Sequence, residues 1–516
     1  MTPEGLSREL EDFLAGAHGA VLLERDAVLF DLAEAKYSIS GERNKCLLHL
    51  WSAERNIVRR VLDLEVKNEV LRLTVQKLGQ AKPTRLEICR ERDRRTPSAK
   101  RSARLAYQRR LQAMLEQRFP AYKVAQLSTA VDLEKSFGPI YARGLLRQGQ
   151  SAFAVLGLNA QETQASIDAA LTFGILWLDV CRQAQAGKCV VEGLKLFLPA
   201  GTSAVARERM AHLNARAAKW QLYEFEERAD ELKEIDWADR GNLNTRLVQC
   251  TNEAAAKERF AWAIARVREA MSEAEVVVLS PAEIAFRRYG LEFARARLAH
   301  QPGSFRSTPE ILFGLGSAER VVDEKAWPAF AQLARSIGEV RHAEGPREHP
   351  LWRMHGERWL ESLVVQNISR IDQRLDSACW YSQVPAFSAS DRAMIDVLGV
   401  TREGRLAVVE LKADEDIHLP LQGLDYWARV AWHHGRGEFQ RFGYFQGREL
   451  SGERPLLLLV APALHVHPAT DTLLRHLSPE IEWALAGIDE RWRDGVHVVF
   501  RKRARSSADE MMLRTG

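Results

Sequence analysis

Asp396, Glu410 and Lys412 are the residues of this 516-residue chain whose types and spacing could do chemistry. Asp396 interrupts an otherwise apolar run, RAMIDVLGV, and Glu410 and Lys412 stand two residues apart in LAVVELKAD, after the turn TREGR. Both runs read as strands, and a side-chain period of two puts Glu410 and Lys412 on one face. Charges inside core strands cost free energy unless they are paired or bind a cation, so three in one hairpin require an explanation. A divalent metal supplies it. Hard ions such as Mg2+ or Mn2+ take carboxylate oxygens and keep several waters, and two carboxylates with a backbone carbonyl, here that of Leu411, make such a site. The ion would polarise a phosphodiester and lower the pKa of its water, while Lys412 orients that water or meets the developing negative charge. The competing reading, a buried Glu410–Lys412 ion pair, leaves Asp396 unexplained.

The flanking segments supply what must hold these residues. HGERWLESLVVQNISRID carries Trp359, Leu360, Leu363, Val364, Ile368 and Ile371 at helical spacing. WYSQVPAF, RAMIDVLGV and LAVVELKAD read as three strands of a hairpin-rich sheet, LPLQGLDYWARVAW as a helix, and PLLLLVAPAL as a strand apolar enough for the middle of a mixed sheet.

With an Asp on one strand and E-x-K on the next, the region resembles the PD-(D/E)XK, or restriction-endonuclease-like, superfamily. Gln422 and Tyr426 match the Q-x-x-x-Y element of its RecB-like branch. ERWLESLVVQNI, IDVLG, VVELK and LQGLDYW are similar to the C-terminal domain of bacterial and archaeal endonucleases that cut mismatched or single-stranded DNA; the resemblance covers about the last 150 residues. It departs from the pattern in having Ile395 rather than Pro before the Asp. The resemblance implies an αβββαβ domain, an Mg2+ or Mn2+ cofactor, and catalysis by Asp396, Glu410, Lys412, Gln422 and Tyr426. Its metal ligands would be Glu361, Asp396, Glu410 and the Leu411 backbone. Family members commonly carry a Glu on the first helix; Glu357 and Glu361 both qualify, and Glu361 is favoured. Gln422 would position Lys412 or substrate. The implied function is a metal-dependent deoxyribonuclease, endonucleolytic, in DNA repair, recombination or defence. Single-stranded, mismatched or branched DNA would be its partner, and a homodimer or sequential nicks would be needed for two-strand cutting. His433, His434, His465 and His467 lie near the sheet and Trp427 and Trp432 could stack on bases, but surface or core packing explains them as well.

The rest of the chain reads as a multidomain α/β (α+β) protein. Composition, 46% hydrophobic and 28% charged, excludes a disordered or integral membrane chain. Residues 1–95 form a β-rich domain, with antiparallel strands from about Ala20 to Cys89 whose basic face could touch nucleic acid. Residues 96–270 are a mixed α/β region in the order α-β-β-β-α-β, with a second extended segment at Asp132. That order matches the C-terminal region and suggests a diverged, inert copy, since its third strand reads AFAVLGL. Residues 271–349 read as a helical linker, with PAEIAFRRYGLEFARARLA as a helix bearing Arg287, Arg288, Arg295 and Arg297. Residues 350–504 form the nuclease-like domain, and 505–516 a disordered tail.

From Arg85 to Arg118, eleven Lys or Arg stand against four acids. Arg92, Arg94, Arg95, Lys100, Arg101 and Arg104 are the candidates there for sequence-tolerant phosphate binding; a solvated linker and helix face is the alternative. Six scattered cysteines without CxxC spacing and an N-terminus without a secretory pattern point to a reducing cytoplasm. No Walker motif is present. The function class that competes with a nuclease is a non-catalytic nucleic-acid-binding or scaffold protein that retains the fold.

Overall fold

The computed structural model describes residues 3–14, 20–24, 27–32, 36–42, 45–51, 56–67, 70–77, 83–90, 97–132, 135–227, 229–239, 245–300, 307–315, 319–388 and 392–504. The expected tail at 505–516 lies outside them. Two compact units result: Met1–Ile167 with Phe197–Ala200 and Glu224–Lys233, and Asp168–Leu196 with Gly201–Tyr223 and Glu234–Gly516. No described helix is long and apolar enough to cross a membrane.

The N-terminal strands form a seven-stranded antiparallel sheet. Lys36–Glu42, Lys45–Trp51, Asn56–Lys67, Val70–Lys77 and Thr84–Cys89 follow one another as a meander, and the hairpin Val21–Glu24/Ala27–Asp31 joins through Val21–Glu24 beside Thr84–Cys89. Alternate residues Leu71, Leu73 and Val75 are buried with Leu6, Leu10 and Phe13 of the helix Pro3–Leu14. On this sheet Arg72 pairs with Glu87 and Arg85 with Glu65, which partly neutralises the expected basic face.

The middle region contains α1 (Pro97–Arg118), β1 (Lys123–Ser128), β2 (Ala142–Gln148), β3 (Ser151–Gly157), α2 (Ala170–Ala184), β4 (Val190–Pro199), α3 (Ala204–Met210), β5 (Lys219–Glu226) and β6 (Glu231–Ile235). Its strands lie in the sheet in chain order, β1 to β6. The second strand is Ala142–Gln148 rather than the segment at Asp132; Asp132 makes only an isolated bridge to Phe137, closing a loop before the strand begins.

The C-terminal region contains α4 (Gly356–Gln366), β7 (Leu375–Ser388), β8 (Arg392–Thr401), β9 (Leu406–Leu411), α5 (Leu419–Gly435), β10 (Leu456–Pro462), α6 (Thr470–Arg475), β11 (Trp483–Ile488) and β12 (Val498–Arg503). Again the strands lie in chain order, β7 to β12, and β9, β10 and β11 run parallel. The apolar run LLLLVAP is β10, buried at every position because helices and neighbouring strands cover it. Two strands that the sequence reading did not place, β11 and β12, follow it, and Thr245–Leu247 adds an antiparallel strand to the free edge of β7.

The two regions therefore share one strand order, and some residue-level features recur in both. VLGLNAQE at the end of β3 (155–162) matches VVELKADE at the end of β9 (408–415). Gln126 in β1 and Gln383 in β7 both take a left-handed backbone, with φ of 58° and 55°. Gly174 of α2 and Gly423 of α5 each let the helix sit close on a central strand, since a Cβ would lie 2.7 Å from Leu194 or 2.6 Å from Leu459. Ala142 pairs with Gly157 where Asp396 stands opposite Glu410. The middle copy thus holds Ala142, Gly157 and Asn159 at the places of Asp396, Glu410 and Lys412. A Cβ on Gly157 would lie 2.5 Å from the Tyr107 hydroxyl, so this buried tyrosine of α1 fills the space that an acid would need.

In the second unit the helices of the two repeats also meet, α2 on α6 and α3 on α5. Leu213 and Leu477, just past α3 and α6, form an antiparallel bridge: the Asn214 N–H donates to the His476 carbonyl at 2.8 Å and the Ser478 N–H to the His212 carbonyl at 2.8 Å. Arg209 of α3 makes a bidentate pair with Asp425 of α5 at 2.9 and 2.7 Å, and Arg475 of α6 approaches Asp179 of α2 at 3.8 Å.

Residues 271–349 are not a helical linker. Glu275–Ser280, Glu283–Arg288, Leu291–His300, Ser307–Phe313 and Arg320–Val321 form an antiparallel sheet in chain order. Helices Glu253–Arg259, Ala261–Ala270 and Trp327–Val340 share its core through Phe260, Val267, Phe330 and Ile337 against Ile284, Phe286 and Phe293. The segment read as a helix is a hairpin whose two turn residues, Tyr289 and Gly290, have φ of 45° and 71°, the geometry that matches strand twist. Its arginines are matched by acids on the sheet: Arg287 by Glu292, Arg295 by Glu283 and Glu292, Arg297 by Glu310.

Candidate metal centre

Strand pairing sets the site. Val397 faces Val409 in the β8–β9 ladder, which puts Asp396 opposite Glu410 at the end where α4 and α5 cover the sheet. One oxygen of Asp396 accepts the Leu411 backbone N–H at 3.1 Å. Gln383 lies opposite Asp396 on β7, and its left-handed backbone, a cost of about 1–2 kcal/mol for a residue with a Cβ, turns its amide toward the acids. The amide donates to Glu361 at 2.7 Å and to Asp396 at 3.4 Å. Glu361, on the buried side of α4, also pairs with Arg358 at 3.2 Å.

The two first-helix acids occupy different places. Glu361 is 6% exposed and joins the carboxylate cluster through Gln383, whereas Glu357 is largely exposed and approaches the Lys412 ammonium at 3.5 Å. Lys412 also lies 3.5 Å from Glu410 and 4.0 Å from Asp416. Gln422 and Tyr426 are on α5, whose Gly423 brings the helix onto Glu410, a Cβ there standing 3.5 Å from the Glu410 Cβ.

Burial dominates the electrostatics of these carboxyls, and the Asp396 charge adds to it at Glu410 and Glu361. Burial raises Glu410 well above its usual range, with the Asp396 charge adding to it and Lys412 opposing. Burial likewise raises Asp396, against the Leu411 N–H. Glu361 is pushed up to about 7, by burial first, with Arg358 opposing and Asp396 adding. Lys412 is held above its ordinary value because its acids outweigh its own burial. The Tyr426 hydroxyl is raised by burial and by the charges of Glu410 and Asp396.

Two buried acceptors, Glu410 Oε2 and Gln422 Oε1, have no hydrogen-bond partner among the described residues. Bare acceptors beside repelling carboxylates are what a hard cation and its waters would satisfy. Among the described residues no three His, Cys, Asp or Glu side chains converge as a complete ligand set. The donors that fit are therefore Asp396 and Glu410 with the Leu411 backbone, for an ion that keeps much of its water, and Glu361 is held one step back by Gln383 and Arg358.

Glu361 makes stability depend on pH. Its folded pKa of about 7 exceeds the unfolded 4.5, so its contribution is full below about 4.5 and is lost as pH rises toward 7. In EDTA the urea midpoint is expected to fall across that window, and Glu361→Gln to flatten the fall; an unchanged fall in the variant would place the proton elsewhere.

Other expected site residues lie apart from this cluster. Arg92, Arg94 and Arg95 are outside the described residues; Lys100 lies in α1, and Arg101 is exposed there. Arg104, expected as a phosphate contact, makes a bidentate pair with Glu162 at 2.6 and 3.0 Å, the side chains only 15% and 10% exposed. His433 is buried between Glu438 and the Thr245 hydroxyl, and Trp427 donates to the Pro455 carbonyl at 2.7 Å, so both are structural. His465 approaches Glu490 at 3.6 Å, and His467 approaches Glu415 at 3.8 Å.

Sequence reasoning missed Gln383 and Arg358. The only trace of Gln383 was a polar residue inside WYSQVPAF, and Arg358 was one of several charges on an amphipathic helix. Beside Arg358 opens a cavity of about 240 Å3 lined also by Arg287, Gly290, Glu292, Arg295 and His355. Gly290 is required at its wall, because a Cβ would lie 2.2 Å from the Arg358 carbonyl oxygen. No family model matches the chain, and no curated protein matches it.

Proposed function

We propose that the C-terminal region is a PD-(D/E)XK-type nuclease domain and that the protein is an Mg2+- or Mn2+-dependent deoxyribonuclease that cuts phosphodiesters internally, in repair, recombination or defence. The observation that carries this reading is the convergence of Asp396, Glu410 and Lys412 beside two bare buried acceptors. Asp396, Glu410 and the Leu411 backbone would hold the metal, which when bound polarises the phosphodiester and acidifies water. Lys412, kept protonated by Glu410, Glu357 and Asp416, directs its ammonium at the attacking water or at a phosphate oxygen. Gln422 would steady Lys412 or the substrate, and Glu361 with Gln383 would fix Asp396. A reducing cytoplasm suits the six cysteines, all free of disulfides.

A scaffold that keeps only the fold is the second reading, favoured by the middle copy, which has lost all three charges. Labelled single-stranded, duplex and branched DNA with Mg2+ or Mn2+, against an EDTA control, separates the two: metal-dependent products are expected, and none on any substrate would leave the scaffold. Mn2+ titration tests the site without turnover. One ion is expected to bind with release of protons, because raised carboxyls must ionise to ligate, and Glu410→Gln is expected to lose that binding; equal binding by the variant would put the ion elsewhere.

A further inference from the structure

We infer that the arginine-lined cavity beside α4 is a phosphate subsite, which takes an internal phosphodiester of the bound strand next to the one held at Asp396 and Glu410. It rests on the nuclease reading of that centre for what arrives, and on the cavity itself for how it is held.

The cavity opens between the hairpin turn at Tyr289 and Gly290 and the start of α4. Arg287, Arg295 and Arg358 line it with His355, against two acids, Glu292 and Glu319. Those acids are already engaged, Glu292 by Arg287 and Arg295, and Glu319 by Arg295 at 3.4 Å. A cation arriving there would meet guanidiniums before carboxylates. Arg358 keeps capacity for a ligand, since it uses one terminal nitrogen on Glu361, at 3.2 Å, and its side chain stays 37% exposed. Burial and the charges of Arg341, Arg358 and Arg287 hold the His355 imidazole below its ordinary value, with Glu292 opposing more weakly. The arginines therefore outweigh the acid at this wall. Planar guanidinium forks are matched to phosphate oxygens.

Size and position choose among anions. At about 240 Å3 the cavity is smaller than the roughly 300–1,000 Å3 of pockets that enclose drug-sized ligands, so it suits a group on a chain rather than a whole nucleotide. Its Arg358 wall lies about one helical turn from Glu361, which Gln383 joins to Asp396. A strand with one phosphate at Asp396 and Glu410 thus brings a neighbouring phosphate to Arg358. The walls are also fixed before any ligand arrives. Arg341 donates to the Tyr289 carbonyl in the turn and to the Leu351 and Met354 carbonyls ahead of α4, and Gly290 packs on the Arg358 carbonyl where no Cβ fits.

The test measures binding without cleavage, on the full chain in EDTA, using fluorescent single-stranded and duplex oligonucleotides with and without a 5′-phosphate over a salt series. Arg358→Gln is expected to weaken binding about tenfold at low salt, the scale of one charge-assisted hydrogen bond, and to do so alike for all sequences. It is also expected to lower the slope of log affinity against log salt by about 0.7 on single strands, because one counterion fewer is released. Arg287→Gln, whose ion pair is with Glu292 rather than the metal centre, is expected to act in the same direction, and Glu319→Gln in the opposite one. A misfolded fraction would lower the amount of active protein and leave the slope as it was. Unchanged affinity and slope in both arginine variants would overturn the inference, as would absence of binding to any strand by the parent chain. A loss confined to 5′-phosphorylated strands would overturn it too, by assigning the cavity to a terminal phosphomonoester. The nuclease reading is tested apart from all of these, by metal-dependent products of the parent chain.

Discussion

Asp396→Asn is expected to abolish Mg2+- or Mn2+-dependent DNA cleavage while leaving the metal-free chain at least as stable as the parent. The two effects share one cause. Asp396 and Glu410 face each other across a ladder in a buried site, and the Asp396 charge raises the cost of ionising Glu410. Removing one charge relieves that repulsion, and the amide oxygen of Asn can still accept the Leu411 N–H. The same change halves the carboxylates available to a hard cation. Lys412→Ala removes the donor aimed at the reacting water or phosphate, a loss of about 10²–10³ in rate on the scale of single preorganised donors, and leaves Glu410 and Glu357 unpaired. Labelled-DNA cleavage with an EDTA control reads the activity, and urea midpoints read the stability. Metal-dependent cleavage retained by both variants would overturn the site assignment.

The largest stability effect is expected at Arg341, whose side chain is fully buried. Among the described residues its guanidinium makes no ion pair, although the Glu275 charge reaches it. It donates instead to backbone carbonyls of Arg288 and Tyr289 in the hairpin turn, at 2.9 and 2.8 Å, and of Leu351 and Met354 ahead of α4, each at 2.8 Å. It also lies over the Trp359 ring, 4.6 Å from its centre, and Tyr289 stacks on the same tryptophan. Burial and the neighbouring Arg493 lower its pKa to about 10, which leaves it charged at neutral pH. One side chain thus ties the five-stranded sheet to the helix that bears Arg358 and Glu361. Arg341→Met strands several carbonyls in a dry interior and is expected to cost about 3–5 kcal/mol in urea unfolding. Arg341→Lys, a point charge without the planar fork, is expected to recover only part of it. A loss below about 1 kcal/mol in the methionine variant would show that water replaces the guanidinium.

The candidate site was legible because burial and charge conflict in its strands. Asp396, Glu410 and Lys412 stand in runs whose other residues are apolar, and such runs fold inward whatever lies elsewhere in the chain. The helix at 281–299 was misread for a related reason: its arginines and apolar residues suit either period, and a Tyr-Gly pair is a weak turn signal. Pairing of Leu291–His300 with Ser307–Phe313, and the helices that bury Phe286 and Phe293, decided for strands. Tertiary context overrode a local pattern that was nearly balanced.

Local chemistry by itself determined the three charged positions, the strand and helix types around them, the αβββαβ order in both regions, and the absence of acids and lysines from the middle region's third strand. Only the tertiary structure decided that Glu361 turns to the carboxylates while Glu357 turns to Lys412, and that Gln383 bridges Glu361 and Asp396. It alone decided that Tyr107 fills the middle copy's vacancy, that Arg104 is held by Glu162, and that the two repeats pair through Leu213 and Leu477. The physical reason is the range of the forces involved. Periodicity and burial act between neighbours in sequence, whereas these contacts join groups far apart in the chain, and their partners become known only once the sheets have set their register.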